Sequence, residues 1–139
     1  MRTYFDSSAL VPLLLRRSRF HASATAVLRE AGTEAVTSTH ALAETFRTLT
    51  SLTPDPLPPK AARELIRSLD KVMEVRPLER GNYDDALAAM AAQGLCGPIV
   101  YDALHCCAAQ QAKARRIVTR NAKHLRLFAG PTAVKELGD

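Results

Sequence analysis

Short strand-forming runs alternate with stretches of helical length along most of the chain. Strands are predicted at residues 2–5, 34–38, 74–76 and 116–119, and the helical patterns between them span about ten to fifteen residues. Strands that are connected through helices pair in parallel by right-handed crossovers. The sequence therefore predicts an α/β fold, with a central and mostly parallel sheet of four or five strands flanked by helices.

Apolar spacing and chain breaks define the predicted helices of the first half. Residues 21–31 show helical spacing and end at Gly32, a residue type that often follows a helix. Thr39 is predicted to cap a helix that ends before the proline-rich residues 54–59. Four apolar residues are expected on its buried side: Leu42, Phe46, Leu49 and Leu52. The most regular amphipathic pattern follows at residues 62–73 and leads into the third strand.

Pro98 is predicted to begin a helix that is central and buried. Proline is favoured at the first position of a helix, and apolar residues follow on nearly every face: Ile99, Val100, Ala103, Leu104, Cys106, Cys107, Ala108 and Ala109. Before it, Asn82 and Asp85 resemble a capping box at the start of another helix. The tail at residues 125–139 gives no clear prediction.

The composition is that of an ordinary globular protein. The chain has 139 residues, 47% of them hydrophobic, which suffices for one domain over residues 1–139 with a core that needs no disulfides. Cys96, Cys106 and Cys107 are an odd number with two adjacent, so we expect reduced core residues. The longest nearly apolar run is too short to span a membrane and no secretory signal is evident, so a cytoplasmic location without membrane contact is expected.

Four polar side chains fall where predicted strands end or where the following helices begin. Asp6 ends the first strand, Glu44 lies in the second turn after the second strand, Asp102 lies in the first turn after Pro98, and Asn121 follows the last strand. In a parallel sheet these places share one edge, where ligand sites form. Three carboxylates at one edge would repel each other unless a cation lay between them.

The ligand types favour a hard divalent cation at that edge. Carboxylate oxygens without paired histidine or cysteine ligands are typical of Mg²⁺ or Mn²⁺ sites, which often include a substrate phosphate. Such an ion lowers the pKa of a bound water and neutralises charge on phosphate, so the pattern indicates hydrolysis of phosphodiester bonds. A zinc site built from the three cysteines and His105 lacks the usual paired spacing.

Each acidic residue also has a simpler interpretation. Asp6 could be only the cap of the next helix, and Glu44 could be a solvated helix residue. Asp102 is harder to explain in this way, because it interrupts an otherwise apolar helix and a buried carboxylate needs a partner or a metal. On the same helix, His105 is interpreted as a core histidine with satisfied hydrogen bonds.

Four segments carry a resemblance to a known family. They are YFDSSALV at residues 4–11, HALAE at 40–44, GPIVYDALH at 97–105 and IVTRNAKHL at 117–125. In this order and spacing the chain resembles the PIN-domain ribonucleases, and among them the VapC-type toxins of bacterial toxin–antitoxin pairs. The resemblance implies a PIN-like fold and a metal-dependent endoribonuclease that acts as a toxin.

The resemblance also implies roles for individual residues. Asp6, Glu44 and Asp102 would be the acidic catalytic residues and would hold the Mg²⁺ or Mn²⁺, with Asp6 and Asp102 as the best direct ligands. Ser8 and Thr119 would orient the acids by hydrogen bonds.

Asn121 departs from the family pattern, since many members carry a fourth acid at this position. Its neutral amide binds a second metal more weakly than a carboxylate would, so a one-metal site is favoured. Asn121 is then expected to position water or ligand within the catalytic site.

Basic residues near these segments are candidates for contacts with RNA phosphates. The net charge is +5, which becomes +8 when the three acids are left out, and a basic surface around an acidic centre suits a nuclease. The expected RNA-binding residues are Arg47, Arg120, Lys123 and His124, with Arg126 as a further candidate.

Partners follow from the resemblance, and other functions remain open. It implies an RNA substrate, a homodimer and a cognate antitoxin, for which the helical hairpin of residues 40–73 is the expected docking surface. One alternative is a PIN-fold RNA-binding or scaffolding module without turnover. Another is a phosphoaspartate enzyme or receiver domain using Asp6, which the chain fits less well because it lacks an Asp-x-Asp pattern after the first strand.

Overall fold

A five-stranded parallel sheet forms the centre of the computed structural model, which describes residues 1–138. The strands are β1 (Thr3–Phe5), β2 (Ala35–Ser38), β3 (Glu74–Arg76), β4 (Arg116–Thr119) and β5 (Ala133–Glu136). Their spatial order is β3-β2-β1-β4-β5, and every neighbouring pair is parallel. The predicted α/β class is confirmed, and the fifth strand lies in the tail at residues 125–139, where no clear pattern was present.

Within residues 1–138, seven α-helices connect or follow the strands. They are α1 (Ser7–Leu14), α2 (His21–Ala31), α3 (Thr39–Leu49), α4 (Pro59–Ser68), α5 (Arg80–Gln93), α6 (Val100–Gln111) and α7 (Ala122–Leu125). Three single turns of 3₁₀ helix cover residues 32–34, 69–71 and 97–99. Among the described helices, none is long and apolar enough to cross a membrane.

Alternating residues of the strands face two separate hydrophobic clusters. Phe5 and Val118 pack with residues of α1 and α2 on one face of the sheet. Tyr4 and Ile117 pack with α6 and α7 on the other face. Because side chains alternate along a strand, both faces of the sheet are covered.

The predicted buried side of α3 is correct for Leu49 and for Leu42, which packs partly buried against the core, and wrong for Phe46 and Leu52. Ala41, Thr45 and Leu49 are buried, whereas Phe46 is 38% exposed and Leu52 lies beyond the end of the helix. The physical reason is close packing, because α3 turns its small residues towards its neighbours. The cap is Ser38 rather than Thr39, and the Ser38 hydroxyl accepts a hydrogen bond from the backbone N–H of Ala41 at 3.2 Å.

Two other helix boundaries differ from the sequence prediction. The capping box of α5 pairs Glu79 with Asn82, so Asn82 occupies the third helical position instead of the cap, and the partner of Asn82 is not Asp85. The amphipathic pattern of residues 62–73 is also not one helix, because α4 ends at Ser68 and a 3₁₀ turn follows. Both differences arise from local hydrogen bonds at helix ends. The predicted start of the buried helix at Pro98 also shifts, because Pro98 lies in the 3₁₀ turn and α6 begins at Val100.

The cysteines are free thiols in different environments. Cys106 is buried, Cys107 is partly buried, and Cys96 is exposed, so the expectation that all three are core residues is wrong for Cys96. Burial raises the pKa of the Cys106 thiol to about 12, and burial also raises the pKa of Cys107. The Gly94–Gly97 break places Cys96 outside the packed end of α5.

Thiol labelling checks these environments. At pH 8 we expect brief exposure to iodoacetamide to modify Cys96 first. The thiolate is the reactive form, and Cys106 and Cys107 are buried and partly buried, respectively, with raised pKa values. Mass spectrometry of peptides measures the rate at each cysteine. Equal rates at all three cysteines in the folded protein would contradict this arrangement.

Candidate active site

The end of β1 places Asp6 at the start of α1. Its side chain is 3% exposed, and its Oδ1 accepts hydrogen bonds from the Ala9 backbone N–H at 3.0 Å and the Ser8 hydroxyl at 2.7 Å. Asp6 therefore does cap α1, as its simpler interpretation required. Burial nevertheless raises the pKa of its carboxyl group, and these hydrogen bonds only partly offset that effect.

Ser8 and Thr119 connect the ends of β1 and β4. The Ser8 Oγ lies 3.1 Å from the Thr119 Oγ1 and accepts a hydrogen bond from the Arg120 backbone N–H at 2.8 Å. The Thr119 Oγ1 in turn accepts from the Asn121 backbone N–H at 2.9 Å. These contacts hold the Asp6 carboxylate and the segment around Asn121 at the same edge of the sheet.

Glu44 lies on α3 between two histidines. Its Oε1 is 2.6 Å from the Nε2 of His105 and 3.2 Å from the Nε2 of His40. Burial raises the pKa of Glu44, but the contacts with His105 and His40 outweigh burial and lower the pKa to about 2. Glu44 is thus not a solvated surface residue, and its carboxylate is held in the charged form.

A buried chain of hydrogen bonds connects the Glu44 carboxylate to the sheet through His105. The Nδ1 of His105 lies 2.9 Å from the Tyr4 hydroxyl, which lies 2.8 Å from the Ser38 hydroxyl. Burial lowers the pKa of His105, but its contact with Glu44 and the charges of Asp6 and Asp102 outweigh burial and raise it. The protonated ring donates through Nε2–H to Glu44 and through Nδ1–H to the Tyr4 hydroxyl, which donates to Ser38. His105 is a satisfied core histidine, as expected, and one of its partners is a candidate catalytic acid.

Asp102 lies in the first turn of α6, with its side chain 19% exposed. Burial raises the pKa of its carboxyl group, and the negative charges of Asp6 and Glu44 raise it further. The charge of His105 acts in the opposite direction on Asp102, as it does on Asp6. The three acids, from β1, α3 and α6, therefore influence each other electrostatically around one imidazole.

Asn121 and His124 lie beside Asp102. The Nδ2 of Asn121 is 2.9 Å from the Nδ1 of His124, and the same Nδ1 is 3.7 Å from the Oδ2 of Asp102. All three residues line one cavity of about 600 Å³. The amide of Asn121 is thus placed where it can reach a ligand that contacts Asp102.

The predicted RNA-binding residues occupy different positions around these acids. Arg47 lines a cavity of about 470 Å³ together with Glu44 and His40. The guanidinium of Arg120 lies over the ring of Phe20, 3.7 Å from its centroid, which fixes its direction. Lys123 and Arg126 are exposed on and just after the short helix α7.

The donor set of the acids fits a divalent cation. Asp6 and Asp102 have raised pKa values because burial and neighbouring negative charge disfavour their ionised forms, and a nearby cation would reverse both effects. Carboxylate oxygens are the ligands preferred by Mg²⁺ and Mn²⁺.

A profile of the PIN domain family matches residues 3–129 of the chain. The chain belongs to the PIN domain family. The resemblance seen in the sequence is confirmed, and the match includes the segments that contain Asp6, Glu44, Asp102 and Asn121. No curated protein sequence matches the chain significantly.

Solved structures share the fold of this PIN domain at low sequence identity. The VapC20 toxin of Mycobacterium tuberculosis is 16% identical with a TM-score of 0.72, over 88% of this chain and 92% of that chain. VapBC2 from Rickettsia felis, bound to a fragment of promoter DNA, is 15% identical with a TM-score of 0.71. The match covers 99% of this chain and 100% of that chain. DNA-bound VapBC from Salmonella typhimurium is 14% identical with a TM-score of 0.71, over 98% of each chain.

The sequence interpretation missed two residues at the acidic edge of this PIN domain. His40 was not assigned a role at the site, and His105 was assigned only to the core. Helical spacing carried a signal for both, because His40 and Glu44 are four residues apart and Asp102 and His105 are three apart. Each histidine therefore shares a helix face with a candidate catalytic acid.

Proposed function

We propose that this PIN domain is a metal-dependent endoribonuclease, the toxin of a bacterial toxin–antitoxin pair, in which Asp6, Glu44 and Asp102 hold Mg²⁺ or Mn²⁺. The observation that carries the proposal is the placement of these acids in a PIN domain: Asp6 follows β1, Glu44 lies on α3 after β2, and Asp102 lies in the first turn of α6, all at the carboxyl edge of one parallel sheet. Burial raises the pKa values of Asp6 and Asp102, and a divalent cation at this edge would stabilise their ionised forms.

Each residue of the site has a distinct task in cleavage. Asp6, Glu44 and Asp102 would hold the ion, which when bound would lower the pKa of a water and neutralise charge on the scissile phosphate. Asp6 presents its carboxylate in a direction fixed by Ala9 and Ser8, while His105 fixes that of Glu44. Asp102 faces the cavity by which RNA reaches the acids.

Asn121 has a supporting role in this proposal. Its amide is neutral and bonds to His124, so it orients a water or a phosphate rather than holding a second ion. The site therefore functions with a single metal. Ser8 and Thr119 position Asp6 and the segment that carries Asn121.

The basic residues near the cavities bind the RNA backbone. Arg47 borders the cavity of Glu44, while Arg120, Lys123 and His124 lie along the segment that follows β4. Phosphate contacts of this kind position RNA without reading its sequence. RNA is thereby drawn to an acidic centre that would otherwise repel it.

Salt dependence of RNA binding tests the role of Arg47. In an Asp6→Asn background that does not cleave, we expect Arg47→Ala to weaken binding of single-stranded RNA and to reduce the slope of log K against log salt by about 0.7. Fluorescence anisotropy at several salt concentrations measures both quantities. Arg29→Ala, an exposed arginine at the end of α2, is the matched control, and an equal change in both variants would contradict the role.

The toxin assignment draws on the likeness to VapC and VapBC structures. The Mycobacterium tuberculosis relative is described as a toxin that cleaves the sarcin–ricin loop, and the Rickettsia felis and Salmonella typhimurium assemblies are VapBC complexes. By analogy, this chain acts in the cytoplasm as a homodimer and is silenced by a cognate antitoxin.

The antitoxin docks on the helical hairpin of residues 40–73. An apolar groove of about 600 Å³ lies between α3 and α4, lined by Leu42, Phe46, Ile66 and neighbouring residues. The exposure of Phe46 supports this location, because a large apolar side chain outside the core often marks a binding surface.

A cleavage and growth experiment tests the proposed function. Purified protein should cut single-stranded RNA when Mg²⁺ or Mn²⁺ is added and stop when the ion is chelated, and its induction should arrest bacterial growth. Asp102→Asn should remove both effects, whereas Asp70→Asn, an exposed acid at the opposite edge of the sheet, should keep them. RNA loss that is equal in all proteins would indicate contamination and would leave an RNA-binding module as the better description.

A further inference from the structure

His40, Glu44 and His105 form a second potential metal site on the inner side of the acidic edge. One ligand atom from each residue lies within 4.8 Å of the other two. The Glu44 Oε1 is 2.6 Å from the His105 Nε2 and 3.2 Å from the His40 Nε2. We propose that this cluster, hereafter the His–Glu–His cluster, binds Zn²⁺ or a similar transition-metal ion and that such binding inhibits the nuclease.

The donor types distinguish this cluster from the three acids. Two imidazole nitrogens with one carboxylate oxygen are a ligand set of zinc sites that keep an open position. Imidazole nitrogen favours zinc over magnesium, whereas sites made of carboxylates favour the harder ion. The two sets share Glu44 but differ in which metal they select.

The ligands of the His–Glu–His cluster are held in place by other residues. The Tyr4 hydroxyl fixes the ring of His105 through Nδ1. When Nε2 loses its proton and binds the ion, Nδ1–H donates to the Tyr4 hydroxyl, and Tyr4 donates to Ser38. The ring of His40 stacks on Tyr101, with centroids 5.5 Å apart and planes 20° apart. A second residue that orients each ligand is typical of built metal sites.

The Nε2 atom of His40 lacks a hydrogen bond although it is buried. It lies near Glu44 without hydrogen-bond alignment, and no other atom of the described residues pairs with it. A buried nitrogen whose one polar contact is poorly aligned is incompletely satisfied, and a metal ion would satisfy it. The adjoining cavity of about 470 Å³, lined by His40, Glu44 and Arg47 among others, provides a route for the ion.

Inhibition follows because Glu44 belongs to both ligand sets. This part of the inference rests on the proposed nuclease function. When Oε1 of Glu44 binds zinc, only Oε2 could reach the Mg²⁺ or Mn²⁺ held with Asp6 and Asp102, and the two cations would repel each other across that carboxylate. By linkage, Mg²⁺ should weaken zinc binding by the same factor as zinc weakens Mg²⁺ binding.

Cobalt spectroscopy tests the site without any reference to activity. Co²⁺ replaces Zn²⁺ and gives strong visible absorption when it is bound in a tetrahedral nitrogen and oxygen environment. We expect the purified protein to develop this absorption with one equivalent of Co²⁺ and to lose it when Zn²⁺ is added. His40→Gln should weaken binding by at least about 10- to 100-fold, because loss of a ligand exceeds the cost of losing a supporting residue.

Two controls keep the test falsifiable. His21→Gln changes a histidine of α2 that bonds to the Pro12 carbonyl, outside the cluster, and should bind Co²⁺ like the wild type. Thermal unfolding confirms that His40→Gln is folded, and Glu44→Gln provides a second variant that should also lose binding. Absence of cobalt absorption, or equal absorption in the wild type and both cluster variants, would overturn the site.

Cleavage assays then separate the two claims. Zn²⁺ at concentrations that saturate the cobalt-binding site should slow Mg²⁺-dependent cleavage in the wild type and slow it less in His40→Gln. Unchanged cleavage in saturated protein would overturn inhibition. If the wild type binds cobalt but cleaves no RNA under any condition, the nuclease proposal and zinc inhibition both fail while the site itself remains.

Discussion

Asp6→Asn is expected to reduce metal-dependent RNA cleavage by about 100- to 1000-fold, the usual cost of removing one preorganised group that stabilises charge in a reaction. Asparagine keeps an Oδ1 atom that can accept from Ala9 and Ser8, so the start of α1 should remain capped. Its amide is neutral, however, and cannot supply the negative charge that the ion requires. Initial rates on a labelled single-stranded RNA measure the effect.

The stability of the same variant distinguishes loss of chemistry from loss of fold. Burial raises the pKa of Asp6, so the ionised carboxylate is costly in the metal-free protein. We therefore expect the midpoint of metal-free thermal unfolding to be equal or higher in Asp6→Asn. A variant that is folded and cleaves RNA at the wild-type rate would show that Asp6 is only a helix cap.

Ile117→Ala is expected to lower the free energy of unfolding by about 2–5 kcal/mol, the range for large apolar residues truncated in a core. Ile117 is fully buried on β4 and packs with Cys106 of α6 and Leu125 of α7. The cavity would lie beneath the helix that carries Asp102 and His105. Urea unfolding followed by circular dichroism gives the change in free energy.

Leu87→Ala is the matched control for the core substitution. Leu87 is 58% exposed on α5, so its truncation should change the free energy of unfolding by less than about 0.5 kcal/mol. Similar losses in the two variants would mean that the cluster around Ile117 does not secure α6 to the sheet.

The sequence predicted the acidic edge because strand ends and helix starts are local features. Asp6 follows a run of strand formers, and Asp102 follows a proline that begins a helical turn, so each could be placed from its neighbours alone. Parallel pairing then brings those places to one edge of the sheet. The long-range contact between Glu44 and His105 spans 61 residues and depends on how α3 and α6 pack, which no local pattern specifies.

The remaining differences have similar physical causes. β5 is a short edge strand with three side chains that are exposed, so it carries little apolar alternation. Helical spacing predicts Phe46 on the buried side of α3, but Ala41 and Thr45 are buried against the neighbouring elements instead. In both elements, contacts with neighbouring elements and not the local sequence pattern determine which residues are buried.

Direct measurement of Mn²⁺ binding tests the central claim that the three acids hold a divalent ion. The electron paramagnetic resonance signal of free Mn²⁺ falls as the ion binds, so titration of the wild type should show one bound ion per chain. Asp102→Asn leaves the His–Glu–His cluster unchanged and should reduce Mn²⁺ affinity by at least about 10-fold, while Asp70→Asn should not. Mn²⁺ binding that is undetectable in the wild type, or that is equally strong in Asp102→Asn, would contradict the account.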